Sequence, residues 1–143
     1  MENRLQYNYL IGKFRGESAL YVEYEDSKVK RIFEDMNDVQ NSKNLMIKEI
    51  GLEMTKAVKK KYNQMIAFSS FSSLLESKIE KIESLKGDKN GSYSLHLTAN
   101  YRLIVAPSTD NRSIEGLRIC DTIIIRGVMD YHGQGAKNNW IIP

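Results

Sequence analysis

From Ser92 to Leu97 the side chains alternate in polarity, with Tyr93, Leu95 and Leu97 on one side and Ser92, Ser94 and His96 on the other. A period of two predicts a strand with one buried side. Thr98, Ala99 and Asn100 interrupt the alternation, and residues 101–105 resume as a more uniformly apolar strand, so the two segments predict an antiparallel hairpin. Just ahead of it, Gly87 and Gly91 bracket Asp88, Lys89 and Asn90, residue types that tolerate turn geometry and positive φ.

Upstream the period changes. Residues 1–17 carry an alternation of Leu5, Tyr7, Tyr9 and Ile11 that is compatible with a strand, and residues 18–25 (SALYVEYE) predict a firmer one, rich in β-branched and aromatic side chains. Asp26 and Ser27 then supply an N-cap, and Val29, Ile32, Phe33 and Met36 follow at the spacing of one helix face. Residues 37–44 are polar and predict a loop. A long helix is expected over about 45–68, with Ile47, Ile50, Met54, Ala57, Val58 and Met65 on a continuous face. The hydroxyls of residues 69–73 offer caps for a shorter helix through Phe71, Leu74, Leu75 and Ile79. After the hairpin, residues 107–118 are turn-rich and predict a long connection. The segment 119–132 predicts a final strand, with Ile123, Ile125, Gly127, Met129 and Tyr131 on one face and Thr122, Ile124, Arg126, Val128, Asp130 and His132 on the other. The end, GQGAKNNWIIP, is turn-like, with Trp140 to Ile142 as packing or a loose tail. The order strand, helices, three strands predicts a single α+β domain in which an antiparallel sheet packs against two or three helices.

Composition adds mainly exclusions. A chain of 143 residues suits one domain with a real core, and no apolar run approaches the roughly 20 residues that span a bilayer. The N-terminus lacks the apolar block of a secretion signal, so a cytoplasmic location is expected. One Cys and two His give no repeated ligand spacing, so no metal and no cofactor are expected. The net charge of +3 is too mild to imply a nucleic-acid partner alone. Clustering says more: Lys56, Lys59, Lys60 and Lys61 crowd one segment, and Lys86, Lys89 and Arg102 lie in or beside the hairpin, where they would attract phosphates. The ordinary alternative is a solvated helix face.

The run LKGDKNGSYSLHLTANYRLIV, followed by a strand closing on DYH, resembles the HigB-type toxins of the RelE/ParE superfamily of bacterial toxin–antitoxin systems, over residues 20–132. A lone DYH is a weak signal, but a GD(K/R)xG turn, a YRL(I/F) strand and a terminal DYH in this order are more specific. Residues 1–17 and 133–143 lie outside the usual boundaries, and the connection 107–118 is longer than typical. The resemblance implies a RelE-like fold and a small bacterial RNase that enters the ribosomal A site and cuts messenger RNA. It also implies a partner, a helix-turn-helix antitoxin of the HigA kind, through which alone operator DNA would be bound.

Metal-free RNA cleavage needs a base for the 2′-hydroxyl proton, an acid for the departing 5′-oxygen, and cations for the phosphate. His132 is the natural proton carrier, and Asp130 would orient it or act as base. Arg102 offers a planar fork for phosphate, Lys86 a point charge, and Tyr131 a phenol or a ring for base stacking. Lys89, Lys59 and Lys60 are candidate RNA contacts. Some HigB-type proteins carry a His three positions before the motif Lys, where this chain has Glu83, which speaks against a two-histidine mechanism. His96 is either a solvated strand residue or a substitute within reach. A ParE-like member that binds DNA gyrase without cleaving anything, or a degenerate antitoxin-binding chain, is the competing reading.

Overall fold

A computed structural model describes residues 19–77, 82–85, 91–98, 100–131 and 139–142. The strand at 5–11, the turn residues 86–90 and the helical positions around Ile79 lie outside the described residues. The chain is an α+β structure in the order β1 (Tyr21–Tyr24), α1 (Ser27–Glu34), a 3₁₀ turn (Asp35–Asn37), α2 (Leu45–Ile50), α3 (Leu52–Ile66), α4 (Phe71–Glu76), β2 (Glu83–Ser84), β3 (Tyr93–Thr98), β4 (Tyr101–Pro107), α5 (Ile114–Ile119), β5 (Thr122–Asp130) and β6 (Asn139–Ile142).

The sheet runs β1-β5-β4-β3-β2, with β6 also paired to β5. It is mixed, which corrects the antiparallel expectation: β1 lies parallel to β5, pairing Tyr21 with Thr122 and Tyr24 with Ile125. The helices between β1 and β5 make such a parallel crossover possible. The remaining pairs are antiparallel, including the expected β3–β4 hairpin. Helices cover one face of the sheet. Val29 and Phe33 of α1, Met46 of α2, Val58 and Met65 of α3, and Phe71 and Leu74 of α4 form one core with Leu95, Leu103, Val105, Ile123, Ile125, Val128 and Ile142.

Local chemistry explains most boundaries. The Asp26 carboxylate accepts from the Val29 amide at 2.9 Å and starts α1. Asn44 caps α2 through Ile47 N and also donates to the carbonyls of Asp35 and Asp38, tying the polar loop down. Ser70 and Ser73 form a reciprocal capping box at α4. The expected long helix is broken at Gly51, whose φ of +85° ends α2 and rephases α3. As a result Met46, Thr55 and Tyr62 are buried, whereas Ile47, Ile50, Met54 and Ala57 are only partly covered. The connection at 107–118 is also not all loop: Pro107 closes β4, and Ser113 caps α5, which packs on α4. Ile119 therefore belongs to a helix and not to the last strand, and Glu83 and Ser84 form a short edge strand on β3.

Candidate functional site on the outer face of the sheet

Strand β5 decides which side chains meet. Ile104 pairs with Gly127 but Val105 pairs with Ile125, so Arg126 is an extra residue and the strand bulges there. Gly127 takes φ +148° at this bulge, a conformation that suits a residue without a Cβ. The bulge flips the alternation. Val128 joins Ile123 and Ile125 in the core, and Asp130 pairs with Tyr101, which also packs against the core. Met129, paired with Arg102, turns to the outer face, away from the helices. This corrects the sequence-based faces of the last strand, which grouped Val128 and Asp130 with Arg126.

The outer face then gathers a row. His96 on β3 lies directly opposite Arg102 on β4, Arg102 opposite Met129 on β5, and Met129 opposite Trp140 on β6. Opposed residues on neighbouring strands place their Cβ atoms about 5 Å apart. The Arg102 guanidinium sits over the Tyr131 ring at 5.5 Å from its centroid and donates to the Tyr101 carbonyl at 3.1 Å, so its fork is held in place. The end of β5 is fixed in turn, because the Tyr131 amide donates to the Asn100 carbonyl at 2.7 Å. Glu83, in register with Ser94, belongs to the same outer face one pair further along.

Of the sequence-derived candidates, the structure thus brings Arg102 and Tyr131 together and adds His96. Asp130 lies on the opposite side of the sheet from Arg102. Lys59 and Lys60 line a shallow depression of about 490 Å³ on α3 with Lys56, Asn63 and Gln64. That surface belongs to the helix layer and not to the outer face, since α3 packs on the core side through Val58 and Met65. His132, Lys86 and Lys89 lie outside the described residues.

Sequence reasoning missed two features. Arg126, pushed out by the bulge, donates to the Ser92 hydroxyl, pairs with Glu25 at 3.4 Å and lies 5.8 Å from the Trp140 ring centroid. With Arg112, Ser108, Thr109 and Ile124 it lines a second cleft of about 650 Å³ on the outer face. Trp140, read as packing or a loose tail, is instead a strand residue. A lone glycine inside an otherwise apolar strand was the available signal for the bulge. Among the described residues, no helix is long and apolar enough to cross a membrane. No protein-family model, no curated protein and no solved structure matches the chain.

Proposed function

We propose that the chain is the toxin of a toxin–antitoxin pair and cuts messenger RNA on the ribosome without a metal. One observation supports this most: Arg102, held over Tyr131, stands directly opposite His96 on the outer face. In this reading the 2′-oxygen attacks phosphorus and the bond to the 5′-oxygen breaks, leaving a 2′,3′-cyclic phosphate and a 5′-hydroxyl. Arg102 takes the charge that builds on the phosphate oxygens. His96 beside it is one proton carrier, the substitute for the histidine that Glu83 replaces; the second proton transfer is assigned to His132 of the DYH motif, and a second positive charge to Lys86. Tyr131 fixes the guanidinium and offers a ring to a base. Asp130, across the sheet, is given no role at the phosphate. Lys59 and Lys60, on the helix layer, hold ribosomal or message phosphates outside the reacting centre, and Lys89 is assigned a further phosphate contact.

The RelE-like fold is part of the same reading, supported by the order strand, helices, hairpin and closing strand. A helix-turn-helix antitoxin would keep the chain inactive until translation is to be stopped. The test is induction of the chain without its partner in a bacterial host, following label incorporation into protein and the integrity of one abundant message. Arrest with messages cut inside their translated region is expected. Normal growth with folded protein present would refute the toxin reading, and arrest with intact messages and damaged DNA would point to gyrase instead.

A further inference from the structure

Trp140 lies outside the stretch that carries the toxin resemblance, yet β6 brings it into the row formed by His96, Arg102 and Met129. We propose that Trp140 is a stacking platform for a base of the single-stranded RNA substrate, flanking the phosphate held by Arg102. The proposal rests on the nuclease reading above and adds a substrate contact to it.

Three features of the surroundings lead there. The ring is placed by the fold: a Cβ at Gly127 would lie 3.2 Å from a Trp140 ring carbon, so the bulge glycine gives the indole its seat. Ile142, two residues on, is fully buried in the core and anchors the strand. Yet Trp140 stays 41% exposed, which is unusual for a tryptophan on a well-anchored strand and leaves ring surface for a ligand. Its neighbours are cationic. Arg126 stands at the ring, and Arg102 lies two strands away, roughly 10 Å at the usual interstrand spacing. Aromatic rings interleaved with guanidinium groups along one sheet face suit a strand of alternating bases and phosphates, because every base has a π-face to stack.

The chain has a single tryptophan, so Trp140 emission reports the site directly. The full-length protein is titrated with a 2′-O-methyl hexauridylate, which it cannot cut, while anisotropy of a labelled copy reports binding independently. Saturable quenching that follows the anisotropy is expected. Trp140→Ala should bind the same oligonucleotide about 5- to 100-fold more weakly, and Trp140→Phe should keep most of the affinity. Emission that stays constant while the RNA binds would overturn the proposal, as would an absence of any binding or an alanine variant as tight as the parent. Emission that responds only to a protein partner would also overturn it, reassigning the row to a protein interface. Message cleavage by the parent chain on ribosomes is measured alongside. If cleavage persists without stacking, only the platform fails; if stacking occurs without cleavage, it is the nuclease reading that fails.

Discussion

Replacing Gly127 by alanine perturbs the bulge that sorts the last strand onto its two faces. An added Cβ would overlap the Ile142 carbonyl oxygen, lie 2.8 Å from the Ile142 carbonyl carbon and crowd the Trp140 ring, all at a φ of +148°. The backbone conformation alone costs a non-glycine residue about 1–3 kcal/mol. Relief of the overlap requires β6 to move off β5, and exposing the buried Ile142 side chain loses about 1.5–3 kcal/mol more. The expected loss is therefore roughly 2.5–6 kcal/mol, a drop in Tm on the order of 10 °C for a chain of this size. Gly51→Ala is the matched control. Gly51 has φ +85° but nothing within 4 Å of an added Cβ, so only the conformational cost applies. Urea unfolding of the parent and both variants gives the two losses directly. Gly127→Ala is expected to be the worse by about 2 kcal/mol, the clash contribution. Equal losses, or a Gly127→Ala variant within 1 kcal/mol of the parent by the same linear extrapolation, would refute the close approach of β6 to the bulge.

Asn44→Ala removes a buried amide that satisfies two carbonyls and one backbone N–H, and should cost about 2–4 kcal/mol in a chemical melt. Asp26→Ala, which loses one cap bond at an exposed position, should cost only about 1 kcal/mol in the same measurement. Lys59→Ala with Lys60→Ala should leave stability within about 0.5 kcal/mol while weakening ribosome co-sedimentation and flattening its dependence on salt, by a slope of roughly 0.7 per phosphate contact if the partner is single-stranded.

How far the chain could be read in advance followed the range of the interactions. The alternation at 92–97 and the i, i+3, i+4, i+7 face that runs from α1 into the 3₁₀ turn are local signals, and the hairpin and the buried Val29, Ile32, Phe33 and Met36 were legible from them. The break at Gly51 was hidden because Ile47, Ile50 and Met54 continue a helical period across it, and only the positive φ resets the face. Helix α5 spans six residues with Ile114 and Ile119 largely exposed, so it carries almost no amphipathic pattern beyond its Ser113 cap. The parallel pairing of β1 with β5 joins residues about a hundred positions apart and leaves no trace in local periodicity. At the candidate site, the residue types Arg102 and Tyr131 were legible, but their sharing of a face was not. A strict period of two carried through Arg126 put Asp130 on the wrong side, because one bulged residue exchanges the faces of everything that follows. Trp140 enters only through its pairing with Met129, which the turn-like composition before it conceals.

The proposed nuclease centre is tested most directly by single-turnover cleavage of a defined message on programmed ribosomes. The parent chain, Arg102→Ala and His96→Ala are compared, with thermal melting as the control for folding. The parent should cut within the occupied codon region, and each variant should melt like the parent while cutting roughly 10²–10³ times more slowly. An uncut message with the folded parent chain, or folded variants that cut at the parent rate, would contradict the assignment of the outer-face row to catalysis.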